Sequence, residues 1–166
     1  MNPYLAVPFV LTLALLQSVA APRLQIGAAW PDFLLLAVMS WALVRRPNEA
    51  LAWSFIGGLA VDLASGGPFG GWAIGLMIVT LIAGALADSA LRGRTVLPIV
   101  AAFAGTLAFH GVYLVMALLV GQRVDGLDAL FRVALPSAVY NAALSLAVHW
   151  IMTGIDRRIR PRALRW

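Results

Sequence analysis

Six apolar runs, residues 3–21, 26–44, 50–65, 72–91, 97–121 and 130–153, follow one another with only short breaks between them. A helix needs roughly 20 mainly apolar residues to cross the hydrocarbon core of a bilayer. Inside that core a backbone satisfies its polar groups only as a helix or a closed barrel. The period-two alternation of a barrel is absent, so the runs predict an all-α integral membrane protein with six transmembrane helices. Composition agrees. The chain is 62% hydrophobic and 11% charged, against about 25% charged residues in soluble domains. Its 166 residues hold six spans and little else, which argues against an enzyme with a catalytic domain outside the membrane. Absent cysteines remove thiol catalysis and zinc thiolate sites.

The charges sit at the ends of the runs. All 12 basic residues are arginines, and the net charge is +5. With both termini cytoplasmic, Arg45, Arg46, Arg92, Arg94, Arg157, Arg158, Arg160, Arg162 and Arg165 fall inside, and only Arg23, Arg123 and Arg132 fall outside. That asymmetry is the positive-inside pattern, so the positive charge reads as orientation and lipid contact rather than nucleic-acid binding. Residues 1–21 read as a retained span, since no Lys or Arg precedes the apolar run. The chain then divides into a transmembrane domain, 1–153, and a basic cytoplasmic tail, 154–166. In that tail Arg157, Arg158, Arg160, Arg162 and Arg165 would lie on anionic lipid or meet a cytoplasmic protein, with Ile155, Ile159, Leu164 and Trp166 dipping into the interface.

An ionisable or amide side chain within a span is costly, so each one is a candidate for function. Asp32 follows Pro31 at the outer start of the second run. A proline suits a first turn and a carboxylate suits the positive end of a helix. An outward contact to a partner or ligand is the functional alternative. Asp62 lies at the outer end of the third run, where the helix dipole disfavours an anion. It therefore needs donors, and the candidates are the backbone amides of 65–71, the indole of Trp72 or an outer arginine. The two carboxylates are expected to flank one outward-facing site. The glycine-rich break 65–71 lacks the basic residue and the ending of a phosphate loop, and reads as a tight outer turn. Small residues, Gly57, Gly58 and Ala60 in the third run and Gly75, Ala83 and Gly84 in the fourth, predict close backbone packing and place these two helices at the protein's centre. His110 and Asn141 lie about 15 and 16 Å from the outer ends of their helices. They are expected to hydrogen-bond one another. Pro136 is expected to kink the sixth helix just above them.

At this point the chain resembles a known family. Trp30-Pro31-Asp32-Phe33-Leu34-Leu35-Leu36, then Trp41-Ala42-Leu43 and Pro47, is similar to the second span of the rod shape-determining protein MreD family. Phe55 to Leu63, with its Gly57-Gly58-x-x-x-Asp62 pattern, and Ser65-Gly66-Gly67-Pro68-Phe69-Gly70 resemble that family's third span and outer loop. The resemblance is good over residues 28–75. It implies a six-helix protein of the bacterial inner membrane, similar in fold to the substrate-binding subunits of energy-coupling-factor vitamin transporters. It also implies a place in the elongasome, the machinery of lateral peptidoglycan synthesis. The partners it implies are the single-span protein MreC and, through it, RodA, a class B penicillin-binding transpeptidase and MreB. The family brings no catalytic residues and no cofactor. Pro31, Asp32, Gly57, Gly58 and Asp62 carry over as signature positions, and Asp32, Asp62, Gly66 and Gly70 are candidates for an outer partner contact.

The leading expectation is a non-enzymatic membrane scaffold of cell-wall elongation that binds MreC. The alternative is the substrate-binding subunit of a vitamin transporter. That reading needs an outward cavity, for which Trp30, Asp32, Asp62, Trp72, His110, Tyr113 and Asn141 lie at suitable depths.

Overall fold

The computed structural model describes residues 3–45, 47–89 and 93–159. Within them the chain is helical, with α1 Pro3–Ala20, α2 Phe33–Val44, α3 Pro47–Ser65, α4 Gly71–Ala87, α5 Val96–Leu119 and α6 Leu135–Ile159. A 3₁₀ turn, Ala21–Leu24, follows α1. A single turn, Gly126–Asp128, and a π-helical stretch, Ala129–Ala134, lead without a break into α6. Successive helices run in alternating directions. Residues near the ends of α1, α3 and α5 and near the starts of α2, α4 and α6 line one cavity at one end of the bundle. That end carries Asp32, and the opposite end carries Arg45.

Among the described residues, three helical stretches are long and apolar enough to cross a bilayer: Ala6–Leu24, Val96–Leu119 and Gly126–Ile159. The chain is thus an all-helical membrane protein. α2 and α4 are apolar but shorter. At 1.5 Å per residue, α2 is only about 18 Å long. The apolar run 26–44 is therefore helical only in its second part. Its first residues form a tight turn, in which Ile26 and Ala29 exchange backbone hydrogen bonds of 3.0–3.1 Å around Gly27 at φ +62°.

The centre of the bundle is α2, which corrects the expectation that α3 and α4 occupy it. Every residue from 34 to 42 is buried, including Trp41 and Ser40. A helix that is apolar on all faces can be sheathed by protein on all faces, and α2 packs against α1, α3, α4, α5 and α6. The small residues of α3 and α4 serve a different purpose. A Cβ on Gly58 would lie 2.4 Å from Ala73 Cα and 2.6 Å from Ala73 N, so the α3 and α4 backbones touch there. A Cβ on Gly57 would instead meet the side-chain tips of Val10 and Leu34. Further along α4, glycines and aromatics alternate across the α4–α5 seam. Gly71 receives the ring of Tyr113, Gly75 receives Phe109, and Gly105 of α5 receives Val79 of α4. Small residues substitute here for the hydrophobic drive that lipid does not supply. Ser54 and Thr80 share a buried 2.6 Å hydrogen bond across α3 and α4.

Two further expectations shift. The irregularity ahead of Pro136 is the π-helical stretch Ala129–Ala134, after which Leu135 N–H bonds the Leu130 carbonyl. Charge pattern set a boundary at 153/154, but α6 runs on to Ile159. Ile155 and Ile159 are half-buried and pack against the core, Asp156 is buried, and Leu164 and Trp166 lie outside the described residues.

Candidate functional site

The signature residues Pro31 and Asp32 lie on extended backbone just before α2, and both are buried. Pro31 precedes the cap instead of occupying the first turn, and Asp32 is the N-cap itself. Its Oδ1 accepts from the Leu35 N–H at 3.4 Å. The backbone amides of this segment have no strand or helix to pair with, so side chains from elsewhere satisfy them. Trp30 N–H donates to Ser137 Oγ at 3.0 Å, Asp32 N–H to Asn141 Oδ1 at 2.9 Å, and Phe33 N–H to Gln17 Oε1 at 2.8 Å. Gln17 Nε2 returns a bond to the Pro31 carbonyl at 3.3 Å. Irregular backbone at membrane depth persists where protein groups replace the missing partners.

Asp62 solves the problem posed by its position at the end of α3. Its Oδ2 accepts from the backbone N–H groups of Gly70 at 3.1 Å and Ala73 at 3.2 Å, and its Oδ1 from Trp72 N–H at 3.0 Å. The carboxylate therefore caps the positive end of α4, where an anion is favoured. Backbone amides were among the expected donors. Trp72 contributes its amide, not its indole. Gly66 at φ +64° and Gly70 at φ +87° turn the chain between the two helices, a conformation that glycine adopts without a Cβ penalty.

The expected bond between His110 and Asn141 is not formed. Both residues bond Thr106 instead. Asn141 Nδ2 donates to Thr106 Oγ1 at 3.3 Å, and its Oδ1 is taken by Asp32 N–H. His110 Nδ1 lies 2.9 Å from the Thr106 carbonyl. A carbonyl only accepts, so Nδ1 carries the proton and Nε2 presents a lone pair.

Between these groups lies a cavity of about 560 Å³. Trp30, Asp32, Trp72, His110 and Tyr113 line it as the spacing suggested, while Asp62 and Asn141 do not. The two carboxylates thus do not flank one site. Asp32 lines the cavity, and Asp62 holds the helix that supplies Trp72. Trp72 meets Phe109 edge to face at 4.9 Å, and Phe109 stacks with Tyr113 at 6.3 Å, giving one aromatic wall.

At the opposite end, Arg45 Nε donates to Asp156 Oδ1 at 2.6 Å and Nη1 lies 3.5 Å from Glu49 Oε1. The Asp156 hydrogen bond holds the guanidinium above its ordinary pKa. Arg45 also lies 5.4 Å above the ring of Trp41, which stacks on Trp53 at 4.6 Å. Arg157 and Arg158 are exposed in the last turn of α6. Arg160, Arg162 and Arg165, like Arg46 and Arg92, lie outside the described residues.

Sequence reasoning missed Gln17, Thr106, Ser137 and Asp156, and it counted Arg45 only as part of the positive-inside pattern. Gln17 was the one legible hint, as the only amide side chain in the first apolar run. Of the signature positions, Pro31, Asp32, Gly57, Gly58 and Asp62 are buried, while Gly66 and part of Gly70 reach the surface.

The family model of the rod shape-determining protein MreD matches residues 1–158. No curated protein and no solved structure matches the chain.

Proposed function

This chain belongs to the rod shape-determining protein MreD family, and from that premise we propose that it is a non-enzymatic scaffold of bacterial cell-wall elongation. Family membership gives it a role in rod shape. The finer reading is that it sits in the inner membrane with both termini cytoplasmic and crosses six times. It binds MreC and, within the elongasome, supports RodA, the class B transpeptidase and MreB. The observation that carries this reading is the reach of the family match, which spans nearly the whole described chain.

The buried signature residues build the outer face from within the fold. The contact then falls to the exposed rim at the Asp32 end, where Gly66, Gly70 and the outward Phe69, 66% exposed, form the α3–α4 turn. Arg157 and Arg158 serve the inner side, on anionic lipid or a cytoplasmic partner. Nothing in the family match favours the transport-subunit reading.

The test is affinity purification from the native membrane in mild detergent, followed by mass spectrometry. The scaffold reading expects MreC and wall-synthesis enzymes, and expects Phe69→Asp to lose them while the protein remains folded and inserted. A membrane coupling subunit with ATP-hydrolysing subunits in their place would overturn it. Asp62→Ala is a poor probe of contact, because it uncaps α4.

A further inference from the structure

We propose that the cavity at the Asp32 end is a binding site for an organic ammonium group, with the Asp32 carboxylate as its counter-ion. The inference stands apart from the scaffold role. A volume of about 560 Å³ falls in the range of roughly 300–1,000 Å³ typical of small-molecule sites. Among the described residues its lining holds one carboxylate, that of Asp32. Asp32 is 5% exposed, and its one protein hydrogen bond through the carboxylate is the long contact from Leu35 N–H to Oδ1. Among the described residues, Oδ2 accepts nothing. A carboxylate buried in that way is stable when it meets a partner charge or donor. His110 has committed its Nδ1–H to Thr106 and offers only the Nε2 lone pair. Gln17 has both ends engaged with Pro31 and Phe33.

Among the described residues no arginine lines the cavity, so no basic side chain there pairs with Asp32. One wall is aromatic, the row of Trp72, Phe109 and Tyr113, and Trp30 also belongs to the lining. Aromatic faces attract cations, most strongly where water is excluded. A buried acceptor carboxylate beside an aromatic wall is complementary to a compact ammonium attached to an apolar body. Such a group comes from a free amine or from the ethanolamine headgroup of a lipid.

The test uses purified full-length protein and two isosteric probes, 2-phenylethylammonium and its neutral counterpart 2-phenylethanol, followed by calorimetry. Saturable binding of the ammonium, at least tenfold tighter than the alcohol, is expected. Asp32→Asn keeps a capping side chain and should lose at least tenfold for the ammonium while leaving the alcohol unchanged. Trp72→Leu should weaken the ammonium as well, and it carries the test if Asp32→Asn does not fold. Equal binding of both probes, no saturable binding, or a folded Asp32→Asn that binds the ammonium as before would overturn the proposal. Repeating the titration in nanodiscs separates the sources. Competition by phosphatidylethanolamine, absent in pure phosphatidylglycerol, identifies the headgroup, and its absence identifies a free amine.

Discussion

Arg45 and Asp156 are 111 residues apart in sequence, and the guanidinium Nε of one lies 2.6 Å from the carboxylate of the other. The pair joins the end of the central helix α2 to the last turn of α6, with Asp156 only 1% exposed. Arg45 keeps Glu49 as a partner, so removing Asp156 costs one charged hydrogen bond, about 1.5–3 kcal/mol. Asp156→Ala is expected to lose that much in a detergent unfolding titration. Arg157→Ala, on the exposed face of the same turn, should change stability by less than about 0.5 kcal/mol. Equal losses would show that the ion pair does not hold α2 to α6.

Gly57 and Gly58 are neighbours in sequence with different obligations. Gly58→Ala drives a methyl into the Ala73 backbone, whereas Gly57→Ala meets side-chain ends that can turn aside. Overpacking costs about 1–3 kcal/mol, and more where nothing can relax. Gly58→Ala should therefore fall at or above the top of that range and Gly57→Ala near its bottom, as read by thermal unfolding. The reverse order would refute the backbone contact.

Asp62 is expected to act as a cap. Asp62→Ala leaves Gly70, Trp72 and Ala73 amides without their acceptor and should lose about 2 kcal/mol, the upper end for a lost N-cap. Asp62→Asn keeps one acceptor oxygen and should lose about half as much. Hydrogen exchange at Trp72 and Ala73 is the direct readout, and unchanged protection in Asp62→Ala would contradict the assignment.

Thr106 replaces the direct His110–Asn141 bond, and this has a thermodynamic signature. A double-mutant cycle of Thr106→Ala with Asn141→Leu should show coupling of about 0.6–1.7 kcal/mol, the range for interhelical hydrogen bonds in a membrane. The cycle of His110→Leu with Asn141→Leu should be additive. Coupling in the second cycle and not in the first would restore the direct pair.

Six apolar runs and the Pro-Asp and Gly-Gly-x-x-x-Asp patterns were readable because each is local in sequence. The need of Asp62 for amide donors was readable too, since a carboxylate at a helix C-terminus is anomalous by itself. The position of α2 was not. A helix apolar on every face looks the same whether lipid or protein surrounds it, so periodicity offers no clue. The donors and acceptors around residues 30–33 were hidden for another reason. Ser137 and Asn141 lie more than 100 residues away, and bonds from side chain to distant backbone leave no spacing to read. Arg45 and Asp156 each sit near a charged break, where topology rules count charges without pairing them.

The seat of α2 has a consequence for how the protein is made. Trp30 and Asp32 give their amide protons to Ser137 and Asn141, which leave the ribosome more than 100 residues after α2 begins. Gln17 is already present when α2 is synthesised, but those two acceptors are not. Until α6 arrives, the entry to α2 carries unsatisfied amides at membrane depth, and such groups cost several kcal/mol in lipid. A nascent chain that stops short of α6 therefore exposes its own centre and is a substrate for membrane proteolysis.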